Sequence, residues 1–112
     1  MVGTFYSDVR HYLDDEGEIT GATRPVAVIA SFLRSVVGWV TMRHALIPER
    51  TNVTCRRVAG RLRCRGEIHA YLDPKSGAIL YACPNCGDNG VISGWEETTW
   101  NRSQSNLPSS QN

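Results

Sequence analysis

Four cysteines fall in the second half of the chain, at Cys55, Cys64, Cys83 and Cys86, in the spacing C-x8-C-x18-C-x2-C. This restricts the fold more than any other feature, because four thiols meet at one point only if the backbone returns to it. In "CPNCG", Cys83 to Gly87, a tight turn aims both sulfurs at one place with backbone N–H groups toward them, and Gly87 permits the left-handed conformation that such a turn often needs. The eight residues between Cys55 and Cys64 are too many for a compact knuckle. They suit a short hairpin, "RRVAGRLR", with Gly60 at its tip and the two cysteines at its base.

Four thiolates from two hairpins make a closed tetrahedral set suited to one structural zinc, with no position left for water or substrate. Iron or a metal-free thiol pair is the other reading of the same residues. Disulfides fit less well: the opening "MVGTFYSDVRHYLDDEGEI" lacks the basic start and apolar run of an export signal, so the expected location is a reducing cytoplasm. A redox pair at Cys83 and Cys86 is disfavoured because the surrounding pattern is strand-turn-strand, not a strand-to-helix turn. His44 and His69 are substitute ligands on paper, but four cysteines suffice.

The remainder of the chain reads as α+β. Val9, Tyr12 and Leu13 at helical spacing predict a short helix over Ser7–Asp14 capped by Ser7, and "DDEGEITG" then breaks it. A long helix follows, capped by Thr23 with Pro25 in its first turn, and ends near His44 or Leu46 before Pro48. Its stretch from Pro25 to Met42 has the length of a minimal membrane span, but central Arg34 and two serines favour a buried helix of a soluble fold, with no membrane partner. Ser31, Arg34, Ser35 and Thr41 mark a narrow polar stripe on it. From Thr51 onward the pattern turns to β: "GEIHAYLD" and "GAILYAC" joined by the turn "DPKSG" predict a hairpin, and "GVISGW" a further strand. The expected organisation is a helical region over 1–50, a four-cysteine ribbon of short antiparallel strands over 51–100, and a disordered tail over 101–112.

The stretch "CPNCGDNGVISGWEETTW", Cys83 to Trp100, resembles the C-terminal CPxCGxxGxIxxWxxTxW signature of small uncharacterised bacterial proteins that join a helical part to a zinc ribbon. That resemblance implies a fold and a metal. It implies no activity.

Net charge of +1 hides an uneven distribution: residues 43–65 hold seven arginines against Glu49 alone, a local +6. Arg56, Arg57, Arg61, Arg63 and Arg65 would project from the hairpin between Cys55 and Cys64, where guanidinium groups meet phosphates or simply keep an exposed loop soluble. No general base, nucleophile or open metal position stands out, so the expectation is a non-catalytic binding module without a small-molecule substrate. Nucleic acid is the leading partner, bound without sequence preference because no recognition helix follows the ribbon. The competing class is a protein–protein interaction or scaffold protein. It rests on a second apolar face of the long helix, Val28, Phe32, Val36 and Trp39, which is the expected interface of a homodimer unless Phe5, Tyr12 and Leu13 fold back over it.

Overall fold

The protein is described by a computed structural model covering residues 3–14, 24–59 and 61–103. The expected cap at Thr23, the hairpin tip at Gly60, the acids at 15–18 and the tail beyond 103 lie outside the described residues.

Strands β1 (Thr4–Asp8), β2 (Glu49–Thr54), β5 (Glu67–Leu72), β6 (Ile79–Ala82) and β7 (Asn89–Ser93) form one sheet in the order β1-β7-β6-β5-β2. β1 runs parallel to β7; the other pairings are antiparallel. Strands β3 (Val58–Ala59) and β4 (Leu62–Arg63) make a separate small hairpin, and one long helix, α1 (Arg24–Arg43), lies on one face of the sheet.

The expected β5–β6 hairpin is present, and its turn is built as "DPKSG" requires. Asp73 accepts from Lys75 N–H at 3.0 Å and from the Ser76 hydroxyl at 2.9 Å, and Gly77 takes φ 77°. Alternation then sorts the strands. Ile68 and Ala70 of β5, Ile79 and Tyr81 of β6 and Ile92 of β7 join Ala30, Leu33, Val36, Val37 and Val40 of α1 in one buried cluster. Each fully buried aliphatic side chain there contributes about 1.5–3 kcal/mol. Tyr81 meets the edge of Phe32 at 5.4 Å and lies against Gly90, where any Cβ would come within 2.5 Å of its ring. Trp95 and Trp100 are buried in the same cluster, and the Trp95 indole donates to Gly77 O at 3.1 Å.

The N-terminal expectation is corrected. Thr4–Asp8 is a strand, followed by a 3-10 turn over Val9–Tyr12 that Asp8, not Ser7, caps through Arg10 N–H at 3.0 Å. The sheet therefore joins residues from both ends of the chain, which local periodicity does not register. Helix α1 ends at Arg43, where His44 adopts φ 54° and Ala45 N–H donates to Val40 O at 3.3 Å. By length and composition Pro25–Arg43 is apolar enough to cross a membrane; here it covers the sheet. Thr41, expected on the polar stripe, is buried, its hydroxyl donating to Val37 O and accepting from Arg102 N–H, both at 2.8 Å. That bond, with Asn101 Nδ2 on Glu96 O at 2.9 Å, draws the first residues of the expected tail into the fold.

Candidate metal centre

Cys55 follows β2, Cys64 follows β4, Cys83 follows β6, and Cys86 lies in the turn before β7. Backbone pairing brings them together. Cys55 N–H donates to Gly66 O and Cys64 N–H to Arg57 O, both at 2.8 Å, closing the β3–β4 hairpin. Cys83 N–H donates to Asp88 O at 2.7 Å and Gly87 N–H returns to Cys83 O at 2.8 Å, with Gly87 at φ 83°, the left-handed turn expected of that glycine.

All four sulfurs lie within 4.8 Å of one another, with Cys55 to Cys86 at 3.7 Å and Cys64 to Cys83 at 3.6 Å. A regular tetrahedron with metal–thiolate bonds of about 2.3 Å has edges of about 3.8 Å. A disulfide needs about 2.05 Å, so these are four separate thiols at the spacing of a shared cation. The four cysteines can hold a metal ion, and a set filled by four sulfurs leaves it no open coordination position.

N–H groups two residues onward face three of the sulfurs: Arg57 toward Cys55, Gly66 toward Cys64 at 3.4 Å, and Asp88 toward Cys86. Asn85 adds its side-chain amide to Cys64 at 3.3 Å. Together Asn85 and Gly66 pull the Cys64 thiol down to about 6, whereas burial pushes Cys55 up to about 12 and raises Cys86. Backbone must pass close here: a Cβ at Gly66 would stand 2.7 Å from Asn85 Cβ and 2.9 Å from the Cys83 sulfur.

The five hairpin arginines are all exposed, but they do not act as one cluster. Arg57 reaches Asp88 at 3.5 Å across the cysteine turn. Arg57, Arg63 and Arg65 surround Cys64 and Cys86, while Arg56 and Arg63 border a cleft against α1. Of the helix face Val28, Phe32, Val36 and Trp39, Val36 is wholly buried within the chain and the other three are partly exposed; Tyr12 and Leu13 pack on the core, and Phe5 is exposed. The arginines that residue spacing did not connect with the hairpin are Arg34, Arg43 and Arg102, which line the adjoining cleft. Arg34 lay in plain view on the polar stripe of the helix, but no local signal links that stripe to β2 or to the C-terminal segment.

In comparisons with protein-family models, curated proteins and solved structures, nothing matches this chain.

Proposed function

We propose that the chain is a non-catalytic, cytoplasmic zinc-ribbon module, in which one structural zinc holds out the β3–β4 hairpin to contact nucleic-acid phosphates without reading base sequence. The observation that carries this is the placement of the four-sulfur cluster at the base of a hairpin whose Arg56, Arg61, Arg63 and Arg65 form no ion pair with a described residue. Guanidinium groups held in solvent by a rigid anchor keep their donors for phosphate oxygens. The sulfur set and its spacing suit zinc, as does the likeness of Cys83–Trp100 to bacterial zinc-ribbon proteins.

Elemental analysis of protein purified without added metal tests the first half. One zinc per chain is expected, and an iron–thiolate colour or less than half an equivalent of metal overturns it. Salt titration of oligonucleotide binding tests the second. Replacing Arg56, Arg61 and Arg63 by Gln is expected to flatten the dependence by about 0.7–0.9 per lost contact. Absence of binding at low salt defeats the nucleic-acid reading.

The second reading is a homodimer through the helix, favoured by Val26 at 40% and Ile29 at 39% exposure beside partly exposed Val28, Phe32 and Trp39. Sedimentation separates the two, because apolar association survives salt that releases phosphate contacts.

A further inference from the structure

Two clefts adjoin along the outer side of α1. One, of about 610 Å³, lies between the helix, the end of β2 and the hairpin, and is lined by Ser31, Ser35, Asn52, Thr54, Arg56 and Arg63 among others. The next, of about 710 Å³, shares Ser31, Ser35, Asn52 and Val53 and continues to Arg34, Trp39, Arg43, Trp100 and Arg102. We infer that together they form a track for one single strand of nucleic acid, running from the hairpin along α1 past Arg34 and Arg43. This rests on the phosphate-binding reading above and extends it to a surface the hairpin does not contain.

Charge is the first argument. Among the described residues that line the two clefts there is no Asp or Glu, whereas five arginines border them. Arg34, Arg43, Arg56 and Arg63 take part in none of the ion pairs among the described residues, which are Arg10–Asp8, Arg50–Glu67 and Arg57–Asp88. Four cations that pair with no carboxylate among the described residues, beside a concave surface, match a chain of phosphates. Arg43 is already positioned, its guanidinium 4.9 Å from the centre of the Trp39 ring.

Shape is the second. β2 is an edge strand of the sheet, and its Asn52–Thr54 segment forms the wall opposite α1, adding side-chain amide and hydroxyl groups to the serines of the helix. The helix wall from Ala27 to Arg43 is about 24 Å long. Each cleft has the volume of a site for one small ligand, so a strand lying in both places successive nucleotides in turn.

The test uses the full chain and fluorescein-labelled oligo-dT of about four and about twelve nucleotides, read by anisotropy across a salt series. The longer strand is expected to bind more tightly, and Arg34→Gln/Arg43→Gln to weaken it about tenfold at low salt, lowering the salt slope by about 1.4. The same double variant is expected to keep the parent's fold with at most a small drop in melting temperature, since both side chains are exposed and only the Arg43–Trp39 stacking, worth about 0.5–1 kcal/mol, is lost. Arg34→Lys/Arg43→Lys is expected to recover most of the salt slope. If the parent binds no oligonucleotide, the proposed function falls and the track with it. If the parent binds, and Arg56→Gln/Arg63→Gln weakens it while Arg34→Gln/Arg43→Gln does not, the hairpin reading stands and the track alone is overturned. Equal affinity for duplex, or competition by polyglutamate as strong as by unlabelled oligo-dT, also overturns it.

Discussion

The two ends of this molecule are ordered by different physics. At one end α1, the sheet and the C-terminal tryptophans enclose Leu33, Val36, Val37, Val40, Ile68, Ile79 and Ile92, all fully buried. At the other end the β3–β4 hairpin has strands of two residues, and Val58 and Leu62 stand 59% and 79% exposed. A hairpin that short does not hold its shape alone in water. At its base lie the four cysteines that can hold a metal ion, and the ends are joined because Cys55 and Cys83 belong both to that cluster and to the apolar core. In the proposed reading the surface that meets a partner is positioned by the metal-bound cysteines, while the scaffold beneath it is positioned by burial.

Stripping the metal breaks the comparison most directly. Chelation, or Cys83→Ser, is expected to cost on the order of 5 kcal/mol or more, read as a large fall in melting temperature, with amide exchange protection lost over residues 55–66 first. Unchanged melting would mean that the cysteine end folds without its cation. Leu33→Ala addresses the opposite end. A cavity at this fully buried position is expected to cost about 2–5 kcal/mol by denaturant titration while metal content stays at the parent level. Loss of metal in that variant would show that the two ends do not have separate sources of order.

Gly66→Ala sharpens the boundary between them. The added methyl presses on Asn85 and the Cys83 sulfur, so a drop of about tenfold in metal affinity by competition with a chromophoric chelator is expected, about 1.4 kcal/mol. The core end has its own pH signature. Arg10 binds the Asp8 carboxylate and holds its pKa at about 2, below the ordinary 3.8. The pair therefore stabilises the fold at pH above 3.8, and that contribution fades as pH falls from 3.8 through about 2. Asp8→Asn is expected to remove this part of the acid limb from a melting-versus-pH curve, with metal content unchanged at neutral pH. The smallest effect is expected at the helix end: His44→Gly relieves the left-handed backbone at φ 54° and is expected to gain about 0.5–1 kcal/mol by calorimetry.

Much of the cysteine end is legible in the sequence. The spacing of Cys55, Cys64, Cys83 and Cys86, the turn glycine at Gly87 and the hairpin between Asp73 and Gly77 are local statements, written in residues that only a few backbone conformations accept. The long helix was legible too, because its apolar pattern outlasts any competing period. What the chain could not announce is pairing at long range. Thr4, Phe5 and Tyr6 favour an extended chain, but the partner that makes Thr4–Asp8 a strand is β7, eighty-five positions away, which no local signal names. The same holds for the rotation of α1. Its apolar residues exceed one face, so which of them are buried, and whether Arg34 and Arg43 border a groove with Arg56 and Arg63, depends on where β2 and Arg102 come to rest. Sequence by itself determined the long helix, the two hairpins, the strand after Gly87 and the sulfur set, since short-range sterics and thiolate chemistry suffice for those, but not the strands Thr4–Asp8 and Glu49–Thr54. Only tertiary packing decided the sheet's fifth strand, the buried side of the helix and the cationic groove, because each is a contact between segments whose local energies are nearly indifferent to it.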